Sequence, residues 1–340
     1  MTLYKQISQK TEKRALSPGQ LLFGWFSLFC LLLIFKNGEI ASDYIHRGLL
    51  LCAKSVIPSL FPFMVLSELL ISGGMGERII GKIASPLSLL FRLPPAAISA
   101  VLFGLVCGFP IGAKTIAGAF RQGRLSKRDA ERALCISNNP SSAFVVAAVG
   151  TSLWNNTQFG VFLYLTVISV SLIWGIVDGI LERKRTEQQV CSVQSDYHPV
   201  FLKGAKLFTE SIRSATNGIL SVCAYVVFFS ALMGAMNAIF LDLGAPKLFS
   251  SISFSILELS QGVSHAPDVG NALQAAILSA FACGWSGLSV HCQVISVCDG
   301  LDLSFRRYFL AKLAQAILCA VLFGILLHYF PSILIPSGSF

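Results

Sequence analysis

The stretch that decides the fold is Leu102–Gly150, LFGLVCGFPIGAKTIAGAFRQGRLSKRDAERALCISNNPSSAFVVAAVG. It is apolar as far as Phe120, apart from a break at Gly108-Phe109-Pro110-Ile111-Gly112. It then crosses a basic connector, Arg121–Arg132, and enters a second apolar segment that carries Asn138-Asn139-Pro140-Ser141-Ser142. Such interruptions leave polar groups unpaired, and hydrocarbon cannot satisfy them. They must therefore face protein or a water-filled cavity, which is typical of the binding region of a transporter.

The composition indicates a membrane protein. Only 13% of the residues are charged and 54% are hydrophobic, whereas soluble domains carry about 25% charged residues. Lys and Arg account for the net charge of +9 and cluster between apolar runs rather than on a basic face, so we expect no nucleic acid partner. Most of the ten cysteines lie inside apolar runs, where Cys behaves as a small hydrophobe, and we predict no metal site.

The apolar runs predict an all-α polytopic fold with about seven spans and two re-entrant hairpins. The first run follows a basic N-terminus and could be a signal peptide, but Lys36-Asn37-Gly38-Glu39 has no clear cleavage site, which favours an uncleaved span. Residues Glu77–Arg92 alternate basic and apolar side chains, as an interfacial helix does. The predicted hairpins are 96–120 and 248–272. The predicted spans are Leu21–Phe35, Leu49–Ile71, Ala133–Gly150, Gly160–Leu181, Ala215–Leu241, Leu273–Val297 and Tyr308–Phe330.

The distribution of positive charge supports this layout with a cytoplasmic N-terminus. All but four of the 26 Lys and Arg residues then fall on the cytoplasmic side, the exceptions being Lys36, Arg47, Lys54 and Lys247. The layout predicts an inverted repeat, which is common in secondary transporters. The predicted domains are the N-terminus with the first span (1–48), a first repeat (49–181), a hydrophilic linker (182–214) and a second repeat (215–340).

In the first repeat, the candidate solute-binding residues lie at the two interruptions. Each Asn amide brings two donors and an acceptor, and the proline frees a backbone carbonyl. The alternative is a kink whose Asn and Ser side chains bond neighbouring helices. Lys114 either projects into the cavity or extends its ammonium to the cytoplasmic headgroups. The candidates here are Gly108, Pro110, Gly112, Lys114, Asn138, Asn139, Ser141 and Ser142.

In the second repeat, Glu258 lies at the expected bend of the hairpin. An ionisable group at membrane depth costs about 2.5–3.5 kcal/mol on insertion scales, so it usually has a function. It could bind a coupling Na⁺ or H⁺, or accept hydrogen bonds from a solute; the alternative is a hydrated, idle carboxylate. Small residues of the next span also permit close packing, and its histidine is more typical of packing than of binding. The candidates are Glu258, Gly284, Ser286, Ser289, His291 and Gln293.

Five segments together resemble the sporulation integral membrane protein YlbJ family. They are GFPIGAK (108–114), CISNNPSSAFVVAAVG (135–150), LELSQG (257–262), GLSVHCQV (287–294) and FRRYFLAKL (305–313). The resemblance implies a nucleoside-recognition Gate domain, similar to part of the concentrative nucleoside transporters, in a cell-membrane protein needed for spore formation or cortex assembly. Phe109 and Ile111 stand where the family form has Tyr and Met, and Pro140-Ser141-Ser142 replaces Ser-Gly-Pro.

These observations favour a sporulation membrane protein that binds or moves a small polar solute. Its expected partners are membrane lipid and that solute, a homo-oligomer is compatible with the sequence, and no cofactor is expected beyond the coupling ion. A second hypothesis is a non-transporting assembly or signalling component that docks through Arg121, Arg124 and Arg128. A third is an intramembrane enzyme, for which Ser289 and His291 are the weak nucleophile–base candidate. We expect no enzymatic activity.

Overall fold

The computed structural model describes residues 18–74, 84, 86–183 and 203–334, and all regular secondary structure in these ranges is helical. The all-α polytopic prediction is confirmed. Residues 1–17, residues 77–83 and 85 of the predicted interfacial helix and residues 184–202 of the predicted linker lie outside the described residues. Six helices within those ranges are long and apolar enough to cross a membrane: Pro18–Lys36, Gly38–Ser72, Thr157–Glu182, Gly204–Asp242, Ala272–Val297 and Arg306–Tyr329.

After an N-terminal helix, the first half contains one long helix, two short ones, an interrupted segment and a second long helix. Helix α1 is Pro18–Lys36, and α2 is Gly38–Ser72 with a π-helical turn at Cys52–Val56. Pro58 follows this turn and has no backbone N–H to donate to the preceding turn. The regular hydrogen-bond pattern is therefore interrupted, which explains the local widening of the helix. The others are α3 (Pro95–Cys107), α4 (Ile111–Arg121), α5 (Lys127–Ser137), a π-helical segment (Ala143–Leu153) and α6 (Thr157–Arg183).

The second half repeats the same order of elements. A long helix, α7 (Gly204–Asp242), leads to two short helices, α8 (Lys247–Leu257) and α9 (Leu259–His265), and a 3₁₀ turn, Ala266–Val269. An interrupted helix and a long helix follow: α10 (Ala272–Trp285), α11 (Gly287–Val297) and α12 (Arg306–Tyr329). The chain ends its described part in a 3₁₀ turn, Pro331–Leu334.

The predicted breaks coincide with helix ends. Residues 108–110 separate α3 from α4, which pack against each other, and residue 258 separates α8 from α9, which also pack together. The predicted span Ala133–Gly150 is not a continuous helix, because residues 138–142 separate α5 from the π-helical segment. Two long helices begin earlier than predicted, at Gly38 instead of Leu49 and at Gly204 instead of Ala215. The inverted orientation of the two halves stays a prediction.

Glycines with positive φ angles allow the breaks of each half to touch through their backbones. Gly108 (φ +75) ends α3, and a Cβ added there would lie 2.5 Å from the backbone nitrogen of Ser141. Gly287 (φ +80) begins α11, and a Cβ there would lie 2.7 Å from the backbone nitrogen of Leu259. In both halves a glycine therefore brings the hairpin bend into contact with the interruption of the following helix.

One end of the bundle is held by a charged cluster, which we define as Arg128, Arg132, Asp178, Glu182 and Arg307. Arg132 is buried, and its Nε lies 2.8 Å from Asp178 Oδ2. Arg307 pairs with Asp178 and Arg128 pairs with Glu182. The connector 121–132, the C-terminal end of α6 and the start of α12 therefore lie at the same end of the molecule, as the hairpin interpretation of 96–120 requires.

Large apolar side chains are exposed on the outside of the bundle. On α1 only Cys30 is buried, while Phe23, Trp25 and Phe35 are more than two-thirds exposed. Exposed apolar surface of this extent would be unfavourable in water, but it suits contact with lipid tails. The protein is therefore a multi-pass membrane protein.

We expect Gly108→Ala and Gly287→Ala each to destabilise the protein by about 2 kcal/mol or more, because the added methyl group meets backbone atoms that cannot move aside and the left-handed conformation disfavours Ala. Gly118→Ala is the matched control: no atom lies within 4 Å of a Cβ at this helical position. Thermal unfolding of the purified protein in detergent measures the effect. A Gly287→Ala protein as stable as Gly118→Ala would contradict the packing of the breaks.

Candidate solute site

An enclosed cavity lies where the breaks of the two halves meet. Its polar wall consists of Ser141 from the first half and Glu258, Ser260 and Gln293 from the second. The cavity volume is about 10 Å³, the room that one water molecule needs, so the cavity has no space for a larger solute in this conformation. The remaining walls are apolar and are formed by Val56, Leu60, Phe109, Phe144, Val222, Val226, Leu259 and Val290.

Glu258 provides the cavity's carboxylate. It is 2% exposed, so the alternative of a hydrated side chain does not apply. It is the residue before α9, where its Oε2 accepts a hydrogen bond of 2.7 Å from the backbone nitrogen of Gln261. Its Oε1 lies 3.5 Å from the Ser289 hydroxyl, which is longer than an ordinary O–H···O hydrogen bond. Glu258 is therefore oriented by its cap bond and has acceptor capacity left.

Gln293 on α11 and Ser141 in the interruption after α5 line the cavity together with Glu258. Gln293 is buried, and its Oε1 has no hydrogen-bond partner within the described ranges. An unpaired buried carbonyl costs roughly 1–3 kcal/mol, so it marks a position where a water molecule or a ligand donor belongs. Ser141 Oγ accepts from the backbone nitrogen of Phe144 at 3.2 Å, which leaves its own hydrogen free to donate.

A second buried polar group lies around Tyr308 on α12. Its hydroxyl accepts a hydrogen bond from Asn138 Nδ2 and lies 2.9 Å from His291 Nδ1. The His291 ring also makes edge contacts with Trp285 and Phe309, as a packing histidine does. Asn138 Oδ1 and His291 Nε2 lack partners in the part of the chain that the structure describes. Tyr308 thus links the interruption of the first half to α11 of the second half.

Asn139 belongs to a third group, in which each polar atom is engaged. Its Nδ2 donates to Ile136 O at 2.7 Å and to Ser171 Oγ at 3.1 Å, and its Oδ1 lies 3.3 Å from Lys312 Nζ. Its backbone carbonyl accepts from the Phe109 nitrogen at 3.0 Å. These bonds match the alternative in which the Asn side chains connect neighbouring helices. Asn139 does not line the cavity.

Of the predicted site residues, three line the cavity: Ser141, Glu258 and Gln293. Ser289 touches the cavity's carboxylate, whereas Asn138, Asn139 and His291 lie in the polar groups around Tyr308 and Lys312. The others form the breaks or their packing. These are Gly108, Pro110, Gly112, Ser142, Gly284, which packs on Ala316, and Ser286, whose φ of 75 turns the chain between α10 and α11.

Lys114 does not line the cavity, and the alternative that its ammonium extends to the headgroups stays a prediction. Its ammonium pairs with the carboxylate of Glu68 on α2 and donates to the Ser214 hydroxyl on α7. It is absent from the cavity lining, and its charge is met by protein rather than by headgroups alone. Lys114 therefore connects α4 of the first hairpin to the long helices of both halves.

Sequence reasoning missed several ionisable residues inside apolar runs. Glu68 lies in the run Leu49–Ile71, Asp178 in Gly160–Leu181 and Lys312 in Tyr308–Phe330. The criterion that identified Glu258, an ionisable group at membrane depth, applies equally to them. Tyr308 and Gln315 were missed as well, although they lie on the same face of α12 as Lys312.

The chain is similar to the sporulation integral membrane protein YlbJ of Bacillus subtilis (strain 168). The two sequences are 28% identical over 333 residues, which cover 88% of this chain and 81% of the relative. The predicted resemblance to the YlbJ family is confirmed. No protein-family model matches the chain, and no solved structure matches it.

The motifs that carry the YlbJ resemblance are the segments that meet at the site. GFPIGAK contains the bend between α3 and α4, and SNNPSS is the interruption after α5. LELSQG supplies Glu258 and the start of α9, GLSVHCQV is the first part of α11, and FRRYFLAKL begins α12 with Tyr308 and Lys312.

We expect Asn139→Ala to lower stability by about 3 kcal/mol, because it leaves Lys312 with one acceptor fewer and removes the donor to Ile136 O. Asn138→Ala removes one bond to Tyr308 together with an unpaired carbonyl, so we expect a loss of about 1 kcal/mol. Chemical and thermal unfolding of the two variants compares them directly. Equal losses would contradict the assignment of Asn139 as the interhelical link.

Proposed function

We propose that the protein binds a small polar solute in the cavity between its two halves and moves it across the membrane. In this proposal the two hairpins and the interrupted helices form a Gate domain of the nucleoside-recognition type. The similarity to the sporulation integral membrane protein YlbJ supports a role in spore formation or cortex assembly. The N-terminus and the charged cluster face the cytoplasm, in line with the positive-inside rule.

The observation that carries the proposal is the polar wall of the cavity. Ser141, Glu258 and Gln293 come from different elements of both halves, and they project into an enclosed space that is otherwise apolar. A carboxylate and an unpaired amide carbonyl accept hydrogen bonds, while the serine hydroxyl donates one. A solute with adjacent N–H or O–H donors on a flat apolar body fits this wall, and Phe109 and Phe144 offer ring surfaces to that body.

The closed cavity requires a movement before a solute can enter. In the first half, Asn138 donates to Tyr308 of α12, and Lys312 and Gln315 of α12 donate to Asn139 and Cys135, so the interruption serves as the stationary part. In the second half, the hairpin bend is joined to α11 by the long Ser289–Glu258 contact and by glycine packing. The hairpin also accepts a 3.0 Å bond at Ile256 O from Trp285 Nε1 and donates one of 3.0 Å from Gln261 Nε2 to Ser230 Oγ. Displacement of the α8–α9 hairpin opens the cavity by breaking these three contacts but no ion pair among the described residues. Glu258 is the group that couples this step to H⁺ or Na⁺.

A second candidate function is a non-transporting assembly or signalling component of sporulation. The basic connector favours this candidate, but several of the connector's positive side chains are bonded to other parts of the same molecule. Arg128 pairs with Glu182, Lys127 with Asp302, and Arg121 donates to Val297 O. This candidate requires that substitutions of Arg121, Arg124 and Arg128 impair sporulation while Glu258→Gln is silent.

We expect Glu258→Gln and Gln293→Ala to reduce solute retention at least about tenfold, since each removes a charged or unpaired acceptor worth roughly 1.5 kcal/mol or more. Gln at position 258 can still accept the cap bond from Gln261, so the fold is preserved. The purified protein is incubated with an extract of sporulating cells and washed, and the retained small molecules are identified by mass spectrometry.

Glu39→Gln and Gln274→Ala are the matched controls, because both side chains are exposed away from the cavity. The compound that the wild type retains and the variants release is then tested for uptake into proteoliposomes. Unchanged retention by both cavity variants, with normal sporulation of the corresponding strains, would refute the site. Retention without uptake would refute transport alone.

The orientation makes a separate prediction. A membrane-impermeant maleimide added to intact cells should label Asp268→Cys, at the far end of the second hairpin, and should not label Arg124→Cys or Asp302→Cys. Asp268 and Asp302 have exposed side chains, and the wild type is the blank for its own thiols. Labelling of Arg124→Cys and Asp268→Cys from the same side would contradict the layout.

A further inference from the structure

Lys312 is a fully buried cation in the transmembrane helix α12. Its side chain has no solvent exposure, and its Nζ lies 3.1 Å from Gln315 Oε1 and 3.3 Å from Asn139 Oδ1. None of the ion pairs formed by the described residues includes Lys312. The ammonium is therefore held by the oxygens of neutral amides, which are also ligands of hard metal cations.

The place of this ammonium is the C-terminal end of α5, where that helix is interrupted. Such an end carries the negative pole of the helix dipole and unpaired carbonyls, and in broken transporter helices these features hold Na⁺. Here protein donors already cover the carbonyls. Gln315 Nε2 donates to Cys135 O at 2.8 Å, and Ile136 O accepts from Asn139 Nδ2 and Ser171 Oγ.

In a broken transporter helix, backbone carbonyls and amide oxygens of this kind can bind a metal ion. Here both kinds of oxygen are already occupied by side chains of the protein. The backbone carbonyls are occupied by N–H and O–H donors, and the remaining amide oxygen of Asn139 faces a positive charge. A sodium ion at this position would have to displace the Lys312 ammonium, with which it cannot share a site because of charge repulsion.

We propose that Lys312 is a built-in monovalent cation that takes the place of a sodium ion at the α5 interruption. The stability of the closed state is then independent of Na⁺. We also expect solute binding to be independent of Na⁺ at the α5 interruption, which rests on the proposed function. Ion coupling is then confined to the Glu258 cavity. Lys312 is a positioning residue: it acts through Asn139, whose backbone carbonyl holds the first hairpin at Phe109.

The test measures thermal unfolding of the full-length protein in detergent, in NaCl and in choline chloride at equal ionic strength. The wild type should unfold at the same temperature in both salts. In choline chloride, the Lys312→Ala protein should unfold on the order of 5 °C below the wild type, because the amide oxygens and the helix end lose their cation. It should recover at least half of this loss in NaCl or methylammonium chloride, since the truncated side chain leaves room for a small cation.

Two further variants complete the comparison. Lys312→Met fills the space without a charge, so it should be destabilised in all three salts without recovery. Lys247→Ala removes an exposed lysine and should behave as the wild type does. If the Lys312→Ala protein does not fold, the measurements on the wild type and on Lys312→Met test the proposal.

Saturable stabilisation of the wild type by Na⁺ relative to choline would overturn the proposal. So would a Lys312→Ala protein that shows no loss, or one that responds equally to all three salts, and so would a Lys312→Met protein as stable as the wild type. None of these measurements uses a solute. A failure of the proposed transport function therefore leaves the result for Lys312 readable, and the reverse also holds.

Discussion

The structure depends on one constraint: an interrupted helix inside hydrocarbon must have its free polar groups bonded by other parts of the protein. At the α5 interruption this is achieved by Tyr308, Lys312 and Gln315, which lie at i, i+4 and i+7 on one face of α12. Tyr308 bonds Asn138, Lys312 bonds Asn139, and Gln315 bonds the carbonyl of Cys135. A helix of the second half thus completes a helix end of the first half, and the two halves cannot be separated without exposing these groups.

The same constraint explains why the charged cluster lies at one end of the bundle. Arg132 is buried and donates to the carbonyls of Phe91 and Arg92 as well as to Asp178. Its guanidinium therefore caps the C-terminal carbonyls that follow the helical residues 86–91 and links this segment to α5 and α6. Arg307 brings the start of α12 to the same carboxylate. The polar stripe of α12 is consequently fixed at its beginning by charge and along its length by hydrogen bonds.

The sequence allowed the positions of the interruptions to be predicted, because Gly, Pro and Asn stand out in apolar runs. It did not show which polar side chains face the cavity. His291 and Gln293 are two residues apart on α11 and point to different sides: one packs among Trp285, Tyr308 and Phe309, and the other lines the cavity. The partners of Asn138 and Asn139 are 170 and 173 residues away, a pairing that no local pattern reveals.

The two interruptions are unequal, and this inequality bears on how the cavity opens. The first is held by bonds of ordinary length to Ile136, Ser171 and Cys135, together with a lysine. The second turns at Ser286 and Gly287, both with positive φ. Its polar links to the hairpin are the 3.5 Å contact between Ser289 and Glu258 and the 3.0 Å bond from Trp285 Nε1 to Ile256 O. A movement that separates the hairpin from α10 and α11 breaks these two contacts, whereas a movement at α5 would unpair several buried groups at once, among them the Lys312 ammonium. The carboxylate that loses its serine in that step is the one that lines the cavity, so opening of the hairpin and exposure of Glu258 to a solute are the same event.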